Sequence, residues 1–548
     1  MAPRPHLPPA ATDLAIVGGG SVAVSFLYQF LLALDAAPIA RPPAILLYEP
    51  QGEPGPGGAY QEDLPSNLLN IPAGNMSARA DRRLDFVDWL REQDPAMLAA
   101  YGVAAIDPAD FLPRPLFGAY MRAVYARCRA LAQKLDVPLS HVPGRVHRVA
   151  PLPDGRVRIE AESGEPVLAR HAVLCNGNLP SQAFPALERA PGYFNSPYPV
   201  SELVAGIAPD ASVCIVGTSL SAVDAVAALQ QAGHRGPILC ASRNGRLPSV
   251  RSPHNRAPDM LRQLSRDGAL LLAARHGGAL SLEVIWEALQ GEVLALGGSL
   301  DDEDVFGQDG DASTALDEEI RRSAAAGRPW QAVAAATNAA VDQIWHLLPD
   351  AERGRFQSQW RSLWMARRAT FPMRNALKLQ ALLGTGQLRV APGYVDSEHD
   401  AGSGAFRTRL RTADGEATHS SRYLINATSF SVDAARTRDP LVAALLREGH
   451  ARADPHGGLA LDYGTGCLLD AQGHAQPGVS VLGSLAGGTY FWTTSMDVNA
   501  RLAHGQAARI ATALAAPAAI DPESPGDIPS LARWTAHRPP RPAPAASS

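Results

Sequence analysis

The residues best placed for chemistry lie in a glycine turn near the amino terminus. Gly18 and Gly20 follow the apolar run 14–17, and Ala23 completes the spacing Gly-x-Gly-x-x-Ala. The first glycine allows a tight turn, the second leaves room for a pyrophosphate, and the small third residue lets a helix pack closely on a strand. The backbone N–H groups around Ser21 would face the phosphates. This pattern predicts a dinucleotide-binding site.

A carboxylate follows the second apolar run of the same unit. Residues 44–48 read as a strand that ends at Glu49. An acidic residue at this place is expected to hydrogen-bond the ribose hydroxyls of a dinucleotide. A glycine turn of some other α/β domain is the alternative, but the strand–turn–helix context favours the dinucleotide site.

A second strand–turn–helix pattern follows residues 212–216. The residues of this turn that we expect to contact a cofactor are Gly217, Ser219, Leu220 and Ser221. The next predicted strand, 237–241, runs into Ser242 and Arg243 instead of an acidic residue. Because an arginine can hold a 2′-phosphate that a carboxylate would repel, this site favours NADPH over NADH. The alternative is that Arg243 simply faces solvent.

Two such turns are typical of a flavoprotein in which a nicotinamide cofactor reduces FAD. Gly177 follows a third apolar run and resembles the residue where such chains return towards the flavin. We therefore predict an α/β fold with two Rossmann-like domains: a discontinuous FAD domain, an inserted NAD(P) domain and a helical insertion. The expected boundaries are 11–200 and 425–515 for the FAD domain, 205–250 and 386–424 for the NAD(P) domain, 251–385 for the helical insertion or cap, and 516–548 for a largely disordered tail.

Three further stretches carry a more specific resemblance, at residues 57–90, 112–120 and 439–513. They resemble the bacterial FAD-NAD(P)-binding flavoprotein family related to N-hydroxylating (lysine/ornithine-type) and Baeyer–Villiger flavin monooxygenases. The resemblance places further residues near FAD: Tyr60, Asn70, Met76, Arg114, Gly483 and Thr489. Gly483 is followed by serine where many flavoproteins have aspartate, so the ribityl contact of those proteins is not carried over.

Asn70 and Arg114 are the candidates for a catalytic role. Asn70 is suited either to forming a turn or to hydrogen-bonding the flavin. Arg114 could donate to a flavin carbonyl, a cofactor phosphate or a substrate carboxylate, and its alternative role is a salt bridge at the start of a helix. The sequence leaves these alternatives open.

Composition narrows the class of protein. The net charge of −5 gives no general attraction to nucleic acid. The five cysteines show neither Cys-x-x-Cys nor metal-ligand spacing, which argues against a dithiol reductase and a metal site. No run is long enough to span a membrane, and the proline-rich start does not resemble a signal peptide. We therefore expect a cytoplasmic protein that binds neither membranes nor metal.

The insertion reads mainly as helices, at 281–289, 312–326, 331–348 and 352–383. The acidic run 301–304 predicts a solvated loop. An aromatic and arginine group that includes Trp345, Trp364 and Arg368 is suited either to a helical core with a charged surface or to contact with substrate. Residues 490–494, after the last glycine turn, are the better candidates for an active-site wall.

Three functions remain open at this point. The resemblance implies a monooxygenase in which NADPH reduces FAD and O₂ forms a C4a-(hydro)peroxyflavin that oxidises a small molecule such as an amine or amino acid. The alternatives are a dehydrogenase or oxidase without oxygen insertion, and a non-catalytic flavin-binding protein. The substrate and the oligomeric state are not determined by the sequence.

Overall fold

The computed structural model describes residues 10–36, 41–256, 260–307 and 310–515. The tail expected at 516–548 lies outside these residues. The amino-terminal part begins with a strand, a helix and a strand, as predicted. Its elements are β1 (Ala11–Val17), α1 (Ser21–Asp35), β2 (Ile45–Tyr48), α2 (Asp85–Arg91), α3 (Pro95–Ala100), α4 (Arg114–Lys134), β3 (Leu139–Val142), β4 (Val146–Pro151), β5 (Val157–Ala161) and β6 (Val167–Leu174).

The middle of the chain contains a second strand–helix unit and then a long run of helices. The unit consists of β7 (Tyr193–Phe194), α5 (Val200–Gly206), β8 (Val213–Val216), α6 (Leu220–Gln231) and β9 (Ile238–Ala241). The helices of the insertion are α7 (Arg266–Arg275), α8 (Leu282–Ala295), α9 (Asp302–Phe306), α10 (Ala312–Ala325), α11 (Pro329–Ala336), α12 (Val341–Leu347), α13 (Asp350–Arg355), α14 (Arg361–Arg368) and α15 (Met373–Gly384).

Strands resume after the insertion, and the last helices close the fold. These elements are β10 (Leu388–Ala391), β11 (Tyr394–Asp400), β12 (Ala405–Thr412), β13 (Gly415–Ser421), β14 (Tyr423–Asn426), α16 (Pro440–Arg447), β15 (Cys467–Leu469), β16 (Ala475–Val481), α17 (Gly487–Tyr490) and α18 (Met496–Ala515).

The first sheet joins the two ends of the chain. Among the described residues it contains eight strands, with the main order β15-β16-β6-β1-β2-β3. From β16 to β3 neighbouring strands are parallel, and β15 and the β4–β5 pair are antiparallel additions. Val17 lies beside both Leu174 and Tyr48, so the ends of β1, β6 and β2 meet at one edge. Ligands of open parallel sheets bind outside this edge.

The second sheet is wholly parallel within the described residues, in the order β10-β9-β8-β14-β7. The antiparallel sheet β11-β12-β13 lies between β10 and β14 in the chain. The second sheet begins with Tyr193, before the expected limit at 205, and continues to Asn426, beyond the expected limit at 424. Its edge strand β7 has only two residues, so no apolar run in the sequence marks where this sheet begins.

Two expected helices of the insertion are each interrupted. Residues 331–348 form α11 and α12 with a break at 337–340, and residues 352–383 are broken before α15. Pro372 lies at the second break, where its ring and missing N–H cannot continue a helix. The spacing of apolar residues in these two stretches therefore predicts the helices correctly but does not predict the breaks within them.

The structure contradicts the solvated loop predicted for the acidic run 301–304. Residues 302–306 form α9 instead of a loop. Asp304 accepts from the indole Nε1 of Trp330 at 2.7 Å and pairs with Arg328 at 2.6 Å. Both partners of this carboxylate come later in the chain. The charges of residues 301–304 alone therefore cannot predict these contacts.

A buried ion network ties the insertion to the segment after β9. Glu319 of α10 pairs with Arg328 and Arg367, each at 2.7 Å, and accepts from Ser249 Oγ at 2.7 Å. Burial raises the pKa of Glu319, but the hydrogen bond from Arg328 and the charges of both arginines outweigh it and lower the pKa to about 2. The carboxylate is therefore ionised at neutral pH.

Within the described residues, no helix combines the length and the apolar character needed to cross a membrane.

Candidate cofactor and substrate site

The first glycine turn leaves the start of α1 open at the edge of the first sheet. Gly18 has a φ of +94°, and a Cβ on it would overlap the carbonyl oxygen of Cys175. Gly20 precedes the helix in an extended conformation, and no side chain caps the helix there. Ala23 is fully buried. No side chain therefore competes for the backbone N–H groups at Ser21, and their contact with a phosphate stays a prediction.

Glu49 is positioned at the same edge, directly after β2. Its Oε2 accepts from Gly19 N at 2.8 Å and its Oε1 accepts from Gln51 N at 2.8 Å. The residue is only 8% exposed. Because a carboxylate offers about four lone-pair sites, two backbone hydrogen bonds leave capacity for ribose hydroxyls. The two fixed bonds also orient the side chain towards the glycine turn.

Two further glycines predicted to contact FAD follow neighbouring strands. Gly177 lies after β6, and Gly483 lies after β16. Val481 pairs with Leu174, so both glycines emerge at the edge that holds the first turn. Space around Gly177 is open, since no other atom lies within 4 Å of an added Cβ.

The second glycine turn has the same form at the edge of the second sheet. A Cβ on Gly217, which has a φ of +126°, would lie 2.6 Å from the carbonyl oxygen of Ala427. Ser219 is exposed at the start of α6 and its side chain makes no cap hydrogen bond. Leu220 and Ser221, the first helical residues, are half-buried. The start of α6 is therefore also open to an anion.

Two side chains predicted to contact a cofactor, Ser242 and Arg243, follow the end of β9. Ser242 Oγ lies 3.0 Å from Thr218 Oγ1 and accepts from Gly245 N at 3.0 Å, so it orders the turn. The side chain of Arg243 is exposed and makes no hydrogen bond or ion pair within the described residues, while its backbone carbonyl accepts from Gly393 N at 3.0 Å. The 2′-phosphate contact of Arg243 stays a prediction.

Arg114 has a partner that the sequence could not identify. It begins α4, donates from Nε to the carbonyl of Leu68 at 3.0 Å, and pairs with Asp224 of α6 at 3.4 Å. Asp224 also accepts from Tyr198 OH at 2.6 Å. Burial raises the pKa of Asp224, while the charge of Arg114 opposes that rise. Of the roles left open for Arg114, the salt bridge is the one occupied here, and it joins the two nucleotide-binding units.

A second contact across the units was also missed by sequence reading. Asp63 accepts from Val200 N at 3.0 Å and from Ser201 N at 2.8 Å, at the start of α5. An acidic residue at a helix start is a recognisable signal, but here it comes from a distant loop. The loop that contains Asp63 is thereby fixed to the second unit.

The remaining predicted flavin contacts lie in the segment between β2 and α4. Tyr60 packs edge-on against Phe117 with ring centroids 4.8 Å apart. Burial raises the pKa of Tyr60, and the nearby charge of Arg114 opposes this. Asn70 is exposed and Met76 is buried. Asn70 therefore remains accessible to a ligand, and Met76 is placed in the core.

The structure of the carboxyl-terminal block differs from part of the active-site wall predicted at residues 490–494. Thr489 is buried and its Oγ1 accepts from Leu461 N at 3.3 Å. Tyr490 is 4% exposed, and its hydroxyl donates to the carbonyl of Tyr463 at 2.8 Å. Phe491 stacks on Trp345 in the core of the insertion, with centroids 4.7 Å apart. Tyr490 and Phe491 thus serve packing.

Trp492 is half-buried beside α14 of the insertion. Of the predicted aromatic and arginine group, Arg368 lies over this ring, with its guanidinium carbon 5.4 Å from the centroid. Trp345 is instead in the core, and Trp364 contacts Trp492 edge-on at 6.5 Å. The group is therefore divided between the core and the Arg368–Trp492 pair.

All five cysteines are buried and unpaired. The described residues contain no group of three or more His, Cys, Asp or Glu side chains that could hold a metal ion.

Comparisons with known proteins identify the fold. Residues 15–179 match the sequence profile of a family described as FAD-NAD(P)-binding. No curated protein matches the chain in sequence. Among solved structures, the reduced form of an ornithine hydroxylase from Pseudomonas aeruginosa is 14% identical with a TM-score of 0.56, and the match covers 92% of this chain and 100% of that one.

Two further structures give the same result. A cadaverine monooxygenase from Erwinia amylovora bound to FAD is 14% identical, with a TM-score of 0.54 and coverage of 92% and 95%. An L-lysine 6-monooxygenase from Pseudomonas syringae is 17% identical, with a TM-score of 0.52 and coverage of 92% and 99%. The predicted α/β fold is confirmed, and the chain is similar in fold to solved structures of this group.

Proposed function

We propose that this chain, whose residues 15–179 match the FAD-NAD(P)-binding family, is a flavin-dependent monooxygenase that uses FAD and NADPH to N-hydroxylate a small amine or amino acid. The substrate class is carried over from solved structures of the same fold, which are named as hydroxylases of ornithine, lysine and cadaverine. O₂ is the co-substrate that such a reaction requires.

One observation carries the proposal. The parallel strands of two sheets each lead to an uncapped helix start behind a glycine turn, and the ion pair Arg114–Asp224 joins the helices α4 and α6 across the two units. A protein with a single nucleotide site needs only one such turn. Two turns held together in one molecule suit electron transfer between two bound nucleotides.

The residues of the first turn fit FAD. Gly18 and Gly20 let the turn pack closely against the backbone of Cys175 and Gly57, and Glu49 keeps acceptor capacity for the ribose. Bound there, the flavin would accept a hydride from NADPH and deliver one oxygen atom of O₂ to the substrate. Gly217 and Ser219 would receive the NADPH pyrophosphate, and Arg243 would hold its 2′-phosphate.

The rest of the chain would orient the reactants and exclude water. The insertion covers the carboxyl-terminal block through Trp345, whose Nε1 donates to Gly488 O at 2.7 Å. Such a cover protects a reactive oxygen species from solvent. We assign no general base.

The test is oxidation of NADPH by the purified FAD-loaded protein across amino acids and diamines, in ¹⁸O₂. We expect substrate-stimulated NADPH consumption and one ¹⁸O atom in the product, detected by mass spectrometry. Substrate oxidation without ¹⁸O would instead identify a dehydrogenase or oxidase. Tight FAD binding with no NADPH consumption under any substrate would also contradict the proposal.

A further inference from the structure

One loop joins the second glycine turn to the helical insertion. This connecting loop, residues 242–250, leaves the end of β9 and leads into the insertion. It contains Ser242 and Arg243, which we expect to lie at the adenosine end of NADPH. Its two ends are held by different parts of the molecule, so the loop is a physical link between the predicted nicotinamide site and the insertion.

The first part of the connecting loop is hydrogen-bonded to the second glycine turn. Thr218, which follows Gly217 and is only 6% exposed, donates from Oγ1 to the carbonyl of Arg246 at 2.6 Å. Its Oγ1 also lies 3.0 Å from Ser242 Oγ, which accepts from Gly245 N at 3.0 Å. One side chain thus joins the loop to the turn where we expect the NADPH pyrophosphate.

The far end of the connecting loop is enclosed by the insertion. Ser249 and Val250 are both fully buried. Glu319 of α10 accepts through Oε2 from Ser249 Oγ at 2.7 Å and from Val250 N at 3.0 Å. The carbonyl of Val250 accepts from Arg328 Nη1 at 3.2 Å and from Gln331 Nε2 at 2.9 Å. Because buried backbone groups need partners, this end of the loop keeps its position only while the insertion stays in place.

Little chain separates the two held ends. Arg246 and Ser249 are three residues apart, which a fully extended chain spans in about 11 Å at most. Pro248 lies between them, and its ring fixes one of the backbone angles. A cavity of about 60 Å³ is lined by residues 244–248 and by α9, α10 and α14. The middle of the loop therefore has room to move with the insertion but little slack to absorb such a movement.

The backbone at the start of the loop is held separately. Gly393 N donates to the carbonyl of Arg243 at 3.0 Å, and Tyr394 N donates to the carbonyl of Ser242 at 3.1 Å. A movement of the insertion would therefore act on Thr218 and the second turn, while the backbone of Arg243 stays fixed. This distinction separates an effect on the pyrophosphate from an effect on the 2′-phosphate.

We propose that Glu319 is a positioning residue for the nicotinamide site. Through Ser249, Val250 and the connecting loop, it holds Thr218 and the second glycine turn in the form that binds the pyrophosphate. This inference rests on the proposed function, which puts NADPH at this turn. By thermodynamic linkage, a nucleotide bound at the turn also stabilises the attachment of the insertion by the same factor.

The experiment measures nucleotide binding without turnover. The oxidised FAD-loaded protein is titrated by calorimetry with NADP⁺ and with NAD⁺. We expect Ser249→Ala to weaken the binding of both nucleotides in parallel, by roughly 3- to 10-fold, the range for loss of one hydrogen bond. Glu319→Gln also removes the counter-charge of Arg328 and Arg367, so it should weaken both by roughly 10- to 100-fold.

Variants of Thr218 test the other end of the link. Thr218→Val should weaken both nucleotides as Ser249→Ala does, and Thr218→Ser, which keeps the hydroxyl, should retain wild-type affinity. If one path joins the two residues, the double variant Thr218→Val with Ser249→Ala should lose less affinity than the sum of the single losses. A hydrogen bond that served stability alone would give additive losses.

The matched control is Asp317→Asn, which changes an exposed carboxylate of the same helix α10 that accepts from Gln380 Nε2. It should keep wild-type affinity for both nucleotides, and the visible spectrum of bound FAD checks the folding of every variant. Limited proteolysis supplies the reciprocal measurement. Saturating NADP⁺ should slow cleavage of the insertion in the wild type and in Asp317→Asn, and should give little protection in Thr218→Val.

Wild-type affinity for both nucleotides in Ser249→Ala and in Thr218→Val would overturn the proposal. So would additive losses in the double variant, or proteolysis of the insertion that does not respond to NADP⁺. A loss confined to NADP⁺ would also overturn it, because the effect would then lie at the 2′-phosphate. These outcomes do not depend on Glu319→Gln, which is the variant most exposed to misfolding.

Failure of the proposed function would look different. Parallel losses of NADP⁺ and NAD⁺ affinity in the variants, with no NADPH-dependent incorporation of ¹⁸O by the wild type, would reject the monooxygenase and keep the positioning role. Oxygen incorporation with unchanged nucleotide affinity in the variants would reject only the positioning role. A wild-type protein that binds neither nucleotide would reject both.

Discussion

Glu49 shows how a single side chain can order a cofactor turn. Its two carboxylate oxygens accept from the backbone on both sides, at Gly19 and Gln51. A Cβ on Gly19 would lie 2.6 Å from the Cβ of Glu49, so the turn and the carboxylate are packed in direct contact. The residue predicted from sequence to hold the ribose therefore also shapes the phosphate turn.

We predict that Glu49→Gln weakens FAD binding about 10-fold. The amide retains one acceptor for Gly19 N but loses the charge, and charge-assisted hydrogen bonds are about twice as strong as neutral ones. Equilibrium titration of the apoprotein with FAD measures the effect. Glu53→Gln, a change at a nearby exposed carboxylate, is the control and should leave the affinity unchanged. Equal FAD affinity in Glu49→Gln and wild type would contradict the ribose role.

The predicted preference for NADPH over NADH depends on Arg243. We expect Arg243→Gln to raise the KM for NADPH about 10-fold or more and to leave the KM for NADH nearly unchanged, because only NADPH carries the 2′-phosphate. Steady-state NADPH and NADH oxidation measure both constants. Arg235→Gln removes an exposed arginine that pairs with Asp210 and serves as the charge-matched control. A parallel rise for both cofactors would show that Arg243 does not read the phosphate.

At the scale of elements, the two nucleotide-binding units are coupled through helix starts. The start of α4 provides Arg114, and α6 provides Asp224, whose second partner is Tyr198. The start of α5 is fixed by Asp63 of the first unit. The first contact involves α6, which begins at the second glycine turn, and both contacts fix the first unit against the second.

We predict that Asp224→Asn slows reduction of the bound flavin by NADPH and leaves FAD affinity unchanged. The amide keeps an acceptor for Tyr198 but leaves the buried guanidinium of Arg114 without a counter-charge, which costs about 1–3 kcal/mol. Anaerobic stopped-flow reduction measures the rate. Asp210→Asn, on the exposed face of the same unit, is the control. A wild-type rate of reduction in Asp224→Asn would exclude a coupling role for this ion pair.

At the scale of the whole molecule, the helical insertion is attached to both units by buried charges. Glu319 connects it to the segment after β9. Asp342 of α12 connects it to α18, through Arg501 at 2.8 Å, and also pairs with Arg266 of α7 at 2.9 Å. Buried pairs of this kind are weak contributors to net stability but costly to break on one side. The insertion should therefore detach cooperatively when either carboxylate is lost.

This attachment should depend on pH. The pKa of Glu319 is lowered from 4.5 to about 2 in the folded protein. Its contribution is therefore fully present above pH 4.5 and is lost as the pH falls towards 2, by about 3 kcal/mol in total. We expect Glu319→Gln to lower the free energy of unfolding of the insertion by about that amount at neutral pH. The difference from wild type should shrink on acidification.

Urea unfolding of both proteins across this pH range measures the difference, and limited proteolysis reports release of the insertion. Glu287→Gln, at an exposed position on α8, is the control. A difference between Glu319→Gln and wild type that did not change with pH would contradict the role of the ionised carboxylate.

The sequence alone determined the fold class and the places where cofactors are expected. Apolar strands followed by glycine turns are local patterns, since a positive φ at Gly18 or Gly217 and the burial of the preceding strand are set within a dozen residues. The match of residues 15–179 and the structural comparisons confirm the fold class. The individual site residues stay predictions.

Only the tertiary structure decided which charges meet. Asp224 reaches Arg114, Asp304 pairs with Arg328, and Tyr490 is buried in the core. Which residues meet depends on how separate elements pack. The residue spacing within one segment carries no information about the course of another segment. Local backbone preferences could therefore be read from the chain, whereas partners brought together by packing could not.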